Sequence, residues 1–265
     1  MRYILITGIC FFTVNTHAQF HAVYIPEAKL QGMKMDGDLR DWSWMQPGDY
    51  ITTKSMNEFS SNLKVDEKNF GCKLAVGWSD ITNKLYIMAL VYDNIRSSKV
   101  ITTTDAGWLN DNFGISVYPI GYDDDKSFIQ YYFLVPFVDK RREVVVDRGA
   151  DWLKSQLSWG WKMLGDPRKP GYTVYEISMP IWDNCSLKGI KLSKKHKLSA
   201  NEIISLALEF NDLDNDKTTV KHWDTSHDGA CFSDPKYVSE FVLDPPVSLK
   251  NSWDNIDKIL KASLW

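Results

Sequence analysis

The sequence predicts an all-β fold: an antiparallel, jelly-roll-like β-sandwich with a short C-terminal helix. Three observations carry that prediction. Apolar runs of strand length recur along the chain, turn-forming residues separate them, and helical periodicity is confined to residues 251–265.

Residues 1–18 read as a secretory signal. Arg2 supplies a positive start, Tyr3 to Val14 is apolar but too short to span a bilayer, and Thr16-His17-Ala18 offers a cleavage site. Cleavage after Ala18 leaves a chain beginning at Gln19, which is expected to be exported to the periplasm or the extracellular medium. The apolar run after Arg2 is followed by no longer one, so no membrane insertion is expected.

The sandwich is expected over residues 19–250. Gln19 to Ile25 forms a first strand, and the turn at Asp36-Gly37-Asp38 leads into the aromatic stretch Trp42-Ser43-Trp44. Lys73–Trp78 and Leu85–Tyr92 are apolar runs joined by the polar Ser79 to Lys84, the pattern of a hairpin. Further strands are expected at Phe113–Tyr118, Phe128–Phe137, Glu143–Asp147, Trp161–Leu164, Tyr172–Met179, Ile203–Phe210 and Tyr237–Leu243. The Lys-rich middle of Leu187–Asn201 marks a solvated loop. In the terminal segment, Trp253, Ile256, Leu260 and Leu264 share one helical face, with Asn251 or Ser252 as cap.

A formal net charge of −3, with both signs interspersed, leaves no basic stripe for phosphate, so nucleic acid is not an expected partner. Cys72, Cys185 and Cys231 follow the signal; an exported chain could pair two of them, and the sequence leaves the pairing open. Nucleophile elbow, phosphate loop, dinucleotide fingerprint and His-Glu-x-x-His are all missing. Glu176 and Glu209 fall inside strand runs, where outward-facing positions are expected. His222, His227, Asp228 and Cys231 match no common metal spacing and read as a polar loop.

The chemistry-bearing segments are aromatic. Trp108-Leu109-Asn110-Asp111 precedes a strand and sets a flat indole beside an amide and a carboxylate, the equipment for stacking and hydrogen-bonding a sugar ring. The stretch Lys221-His222-Trp223-Asp224, continuing to Phe232-Ser233-Asp234-Pro235, has the same character. Stacking adds only about 0.5–1.5 kcal/mol beyond area burial, so a second ring is required opposite the first. Asp212, Asp214 and Asp216 place oxygen ligands on alternate residues of a turn. That pattern admits a structural calcium ion, although Lys217 and Trp223 depart from the helix-loop-helix calcium motif.

With these segments in order, the chain resembles the family 9 carbohydrate-binding modules, a β-sandwich group of the DOMON-like superfamily often joined to polysaccharide-degrading enzymes. Met35-Asp36-Gly37-Asp38-Leu39-Arg40-Asp41-Trp42 is similar to the family's Ile-Asp-Gly-x-x-x-Glu-x-Trp opening. Leu74 to Trp78 with Lys84-Leu85-Tyr86 resembles its strand pair, and Trp108-Leu109-Asn110-Asp111 its Trp-Glu-x-Asp. Tyr175 to Pro180, Phe210-Asn211-Asp212 and Ser233-Asp234-Pro235 with Phe241 to Leu243 follow the later motifs.

The resemblance implies binding of glucan or xylan oligo- or polysaccharide between two facing rings, in carbohydrate catabolism and beside polysaccharide-degrading enzymes. Trp108 matches the first ring and Phe232 stands in place of a second tryptophan. Asn110, Asp111, Trp223 and Gln130 complete the expected ligand-binding set. Gly114 replaces an acidic residue of the family, and Gln130 stands near an arginine position. A non-catalytic role with no required cofactor is expected. A glycoside hydrolase, a haem-binding sandwich and a ligand-less interaction domain are the alternatives.

Overall fold

The computed structural model describes residues 20–59, 68–96, 110–118, 130–137, 140–146, 151–214, 221–226 and 235–246. The signal segment and the terminal helix lie outside them. The first part of the chain forms β1 (Phe20–Tyr24), β2 (Ile51–Thr52), β3 (Asn57–Glu58), β4 (Phe70–Ser79) and β5 (Lys84–Asp93). The middle forms β6 (Asn112–Tyr118), β7 (Gln130–Pro136), β8 (Arg142–Val146), β9 (Ser158–Leu164) and β10 (Gly171–Met179). The last part forms β11 (Trp182–Asn184), β12 (Lys194–Lys195), β13 (Ile203–Asp212), β14 (Lys221–Asp224) and β15 (Glu240–Leu243). Helix is confined to Glu27–Leu30 and short 3-10 turns among the described residues.

The strands make two layers. Sheet I runs β8-β7-β6-β13, and the far edge of β13 is shared: β14 pairs with Glu209–Asp212 and β15 with Ile203–Ser205. Sheet II runs β4-β5-β10-β9. β1 belongs to both, pairing with β15 through Phe20–Ala22 and with β4 through Val23–Tyr24, so one strand turns the corner of the sandwich. The expected hairpin is present as β4 and β5, with Asn83 in the left-handed conformation its turn requires (φ 53°).

Period-two alternation sorts each strand's side chains. Phe113, Ile115 and Val117 of β6 and Leu206, Leu208 and Phe210 of β13 face inward, against Tyr175, Ile177 and Met179 of β10. The outer face of sheet II is also dry, because Leu39, Trp42, Trp44 and Met45 lie across Ala75, Met88, Leu90 and Val174. Hence β4 is buried on both faces and reads as a continuous apolar run. Cys72 and Cys185 are buried free thiols, and burial pushes each up to about 12.

Glu176 was expected to face outward into solvent; it is fully buried on the outer face of sheet II. Its Oε2 accepts backbone N–H bonds from Asp36, Gly37 and Asp38 (3.1, 2.7 and 2.9 Å), and its Oε1 accepts the Trp42 indole N–H (2.8 Å). The Asp36-Gly37-Asp38 turn is therefore knotted to β10 by one carboxylate. Glycines permit it: Gly37 takes φ +84°, and a Cβ on Gly160, the in-register neighbour of Glu176, would lie 2.0 Å from the Met35 carbonyl oxygen.

Burial, opposed by those four donors, raises the Glu176 carboxyl from 4.5 to about 7. A folded-state value above the unfolded one means that the folded chain holds a proton the unfolded chain releases. This contribution to stability is complete below the unfolded value and declines as pH rises towards the folded one. The urea midpoint should therefore fall between about pH 5 and about pH 7.5, and fall less in Glu176→Gln. At constant pH that variant should lose about 1–3 kcal/mol, because an amide N–H2 now confronts a donor. Equal pH slopes for the two proteins would contradict the assignment.

Candidate functional site

The outer face of sheet I carries the second buried glutamate. Glu209 lies opposite Gly114 on β6 and opposite Asp224 on β14. It faces outward as expected, yet it is only 1 % exposed. A Cβ on Gly114 would lie 2.2 Å from the Glu209 Cγ and Oε1, so the glycine is the space the carboxylate occupies. Its Oε1 accepts the Tyr131 hydroxyl (2.7 Å), and its Oε2 accepts no hydrogen bond among the described residues.

Beside it stand His222 and Asp224, alternate residues of β14 that share this face. One ligand atom from each of Glu209, His222 and Asp224 lies within 4.8 Å of the others. The Asp224 Oδ1 accepts both the N–H and the hydroxyl of Ser226 (2.7 Å each), leaving Oδ2 towards His222 Nε2 at 3.4 Å. Burial alone would lower the His222 pKa; Asp224 and Glu209 outweigh it and raise it. Burial raises Glu209, opposed by His222 and by the Tyr131 bond.

A chain of amides orients the imidazole. The Asn110 backbone carbonyl can only accept, and it accepts from Asn112 Nδ2 (2.8 Å). The Asn112 Oδ1 then accepts from Asn211 Nδ2 (3.1 Å), which turns the Asn211 Oδ1 towards His222 Nδ1 at 3.2 Å. That oxygen requires Nδ1 to carry a proton, so in the neutral ring the Nε2 lone pair faces Glu209 and Asp224. Asn110, at 2 % exposure, thus works as the anchor of this chain.

A second cluster closes the same end of the sandwich, where Asp93, Asp111 and Asp212 meet with one carboxylate oxygen each inside 4.8 Å. Asp111 also accepts the Leu213 N–H (2.8 Å), and Asp212 accepts from Asn69 Nδ2 (3.2 Å). Burial raises Asp93 to about 7. These carboxylates border a small cavity of about 30 Å³ with Arg96 and Tyr175. Of the aspartates expected to wrap a cation, Asp212 joins Asp93 and Asp111, Asp214 lies near Asp93, and Asp216 is outside the described residues.

Two expected ligand residues need correction. Trp223, assigned to a polar loop, sits on β14 facing inward at 1 % exposure. It is stacked on Phe70 with ring centroids 4.0 Å apart and planes 7° from parallel, so no sugar reaches it. Gln130 is also 1 % exposed and faces the interior, donating to the Pro180 carbonyl (3.0 Å) and accepting from the Trp182 N–H (2.9 Å); it fastens β7 to the start of β11. Trp108 and Phe232 lie outside the described residues, as do His227, Asp228 and Cys231. A wider cleft of about 770 Å³, with Trp161, Lys162 and Arg142 on its wall, opens between β8 and β9, the edge strands of the two sheets, and contains none of the expected residues.

No protein-family model matches the chain, and no curated protein matches it. Among solved structures, a family 9 carbohydrate-binding module from Caldicellulosiruptor kristjanssonii in complex with cellotriose is similar, with a TM-score of 0.57 at 17% identity over 88% of this chain and 97% of that one. The fold is that of a family 9 carbohydrate-binding module. A second family 9 structure from the same organism, in complex with glucose, gives a TM-score of 0.55 at 16% identity, over 87% of this chain and 98% of the other.

Within this family 9 fold, sequence reasoning gave no site role to Glu209, Asp224, Tyr131, Asn112, Asn211 and Asp93. A signal for Glu209 existed: a lone carboxylate within the run Ile203–Phe210 must either face solvent or meet partners. Its partners are distant in sequence, and only the strand register brings them together.

Gly114→Ala should lower stability by roughly 1–3 kcal/mol, because the methyl group overlaps Glu209. In a Glu209→Ala background the same change should lose most of its effect, as urea denaturation of the two single variants and the double variant would show. Additive losses would mean that Gly114 and Glu209 do not share that space.

Proposed function

We propose that this protein is exported and binds carbohydrate without catalysis, holding glucan- or xylan-type oligosaccharide at the outer face of sheet I. One observation carries the reading. Asn110 leads into β6 and Ser226 follows β14, so both aromatic segments join the chain at the margin of one polar floor. That floor comprises Glu209, His222, Asp224, Asn211 and Asn112. Trp108 precedes Asn110 by two residues, and Phe232 falls between Ser226 and Pro235. In this reading Trp108 is the stacking platform, Phe232 is the opposing ring, and polar groups with Asp111 select hydroxyls. The solved family 9 structures, in complex with cellotriose and with glucose, support it through the shared fold.

Two rings and a few hydrogen bonds correspond to affinities of roughly micromolar to millimolar, suited to a chain that keeps polysaccharide-degrading enzymes near their substrate. Calcium enters the proposal as a structural ion. Asp93, Asp111 and Asp212 offer the all-oxygen donor set a hard cation takes, and would neutralise one another's repulsion by holding it.

Calorimetry with cello- and xylo-oligosaccharides, with and without calcium, tests this. Wild type should bind one class in that range, and Trp108→Ala should abolish binding while leaving the thermal midpoint unchanged. Binding that survives Trp108→Ala would remove the platform from the account.

A further inference from the structure

The acidic and imidazole groups on the outer face of sheet I do more than line a floor. We propose that Glu209, His222 and Asp224 form a tetrahedral zinc-class metal site, binding one divalent transition ion through Glu209 Oε2, His222 Nε2 and Asp224 Oδ2. The fourth position is left to water or a ligand oxygen.

Distance is the first argument. Nε2 of His222 lies 3.5 Å from Glu209 Oε2 and 3.4 Å from Asp224 Oδ2. These are long for N–H···O bonds. Zinc bonds of about 2.0–2.2 Å arranged tetrahedrally set their ligand atoms roughly 3.3–3.5 Å apart, whereas octahedral magnesium at about 2.0–2.1 Å sets neighbours about 2.9 Å apart. The same protein shows what an ordinary imidazole–carboxylate contact looks like: His196 meets Asp183 at 2.5 Å and Glu202 at 2.6 Å, through opposite ring nitrogens. His222 instead directs one nitrogen at two carboxylates and touches neither closely.

Orientation is the second argument. Each ligand's other polar atom is held from behind: Glu209 Oε1 by Tyr131, Asp224 Oδ1 by Ser226, and His222 Nδ1 by Asn211. Such outer partners fix the imidazole tautomer and aim first ligands at a metal. The third argument is Glu209 itself, which is 1 % exposed, with an Oε2 that accepts no hydrogen bond among the described residues and points into the cluster. One imidazole with two carboxylates falls within the nitrogen and oxygen donors zinc takes in sites that keep a fourth position open, and the imidazole sets the cluster apart from all-oxygen calcium and magnesium sites.

This assignment goes beyond the sugar reading and does not depend on it, because metal uptake is measured without oligosaccharide. The purified full chain, stripped with a chelator and dialysed, is titrated with zinc by calorimetry; cobalt(II) then replaces zinc for visible absorption. The expected result is one zinc per chain and the intense visible bands of four-coordinate cobalt. Glu209→Gln and His222→Gln should each weaken zinc binding by at least about tenfold, while His196→Gln leaves it unchanged. The cobalt spectrum of wild type requires no variant, so the test stands even if a substitution prevents folding. Failure to take up stoichiometric zinc, a six-coordinate cobalt spectrum, or uptake that persists in folded Glu209→Gln and His222→Gln would each overturn the site. Without stoichiometric uptake, His222 is an imidazolium between two carboxylates and no more.

Discussion

A carboxylate taken out of water must be met by donors or by a cation, and this fold buries a glutamate on the outer face of each sheet. Glu176 and Glu209 are built alike. Each stands mid-strand, and each faces a glycine on the neighbouring strand, Gly160 or Gly114. They differ in what meets them. Glu176 receives four N–H donors and ties the Asp36–Trp42 segment over sheet II, which closes that face. Glu209 receives a hydroxyl on one oxygen and faces a histidine and another carboxylate with the other. The first arrangement is complete within the protein. The second is shaped for something added to it.

The rest of the sheet I face follows from that difference. Placing Glu209 over Gly114 fixes its carboxylate between β6 and β14, and β14's alternation then brings His222 and Asp224 to the same side while sending Trp223 into the core. The Asn110–Asn112–Asn211–His222 chain carries one donor–acceptor direction from the entrance of β6 to the imidazole. A substitution at Asn112 would alter the ring's protonated nitrogen without touching it. The segment that bears Trp108 is thus coupled, through Asn110, to the polar floor.

Much of the fold was legible because its strands are long and its interior face is regular. β4, β5, β10 and β13 show as apolar runs bounded by turn residues, and the β4–β5 hairpin follows from its polar connection. β14 was not legible. A four-residue strand with one apolar residue shows no alternation to read, and Trp223 between His222 and Asp224 looks the same in sequence whether it is a core plug or a displayed ring. Gln130 failed for the same reason: one step of register moves a residue from the outer face to the inner. The burial of the two acids was not legible because it looks implausible until distant donors are known; for Glu176 these lie 134 to 140 residues away along the chain. The acidic cluster of Asp93, Asp111 and Asp212 likewise joins three chain segments, and only Asp212 belonged to the visible Asp212–Asp216 pattern.

The central claim is that the outer face of sheet I, rather than the wider cleft at Trp161, is where this protein meets its ligand. The most direct measurement is backbone amide NMR of the isotope-labelled chain during titration with a cello- or xylo-oligosaccharide. Shifts concentrated at Asn110, Asn112, Asn211, His222 and Ser226 are the result this account predicts. Shifts concentrated at Lys162, Met163 and Arg142, with Asn112, Asn211 and His222 silent, would contradict it.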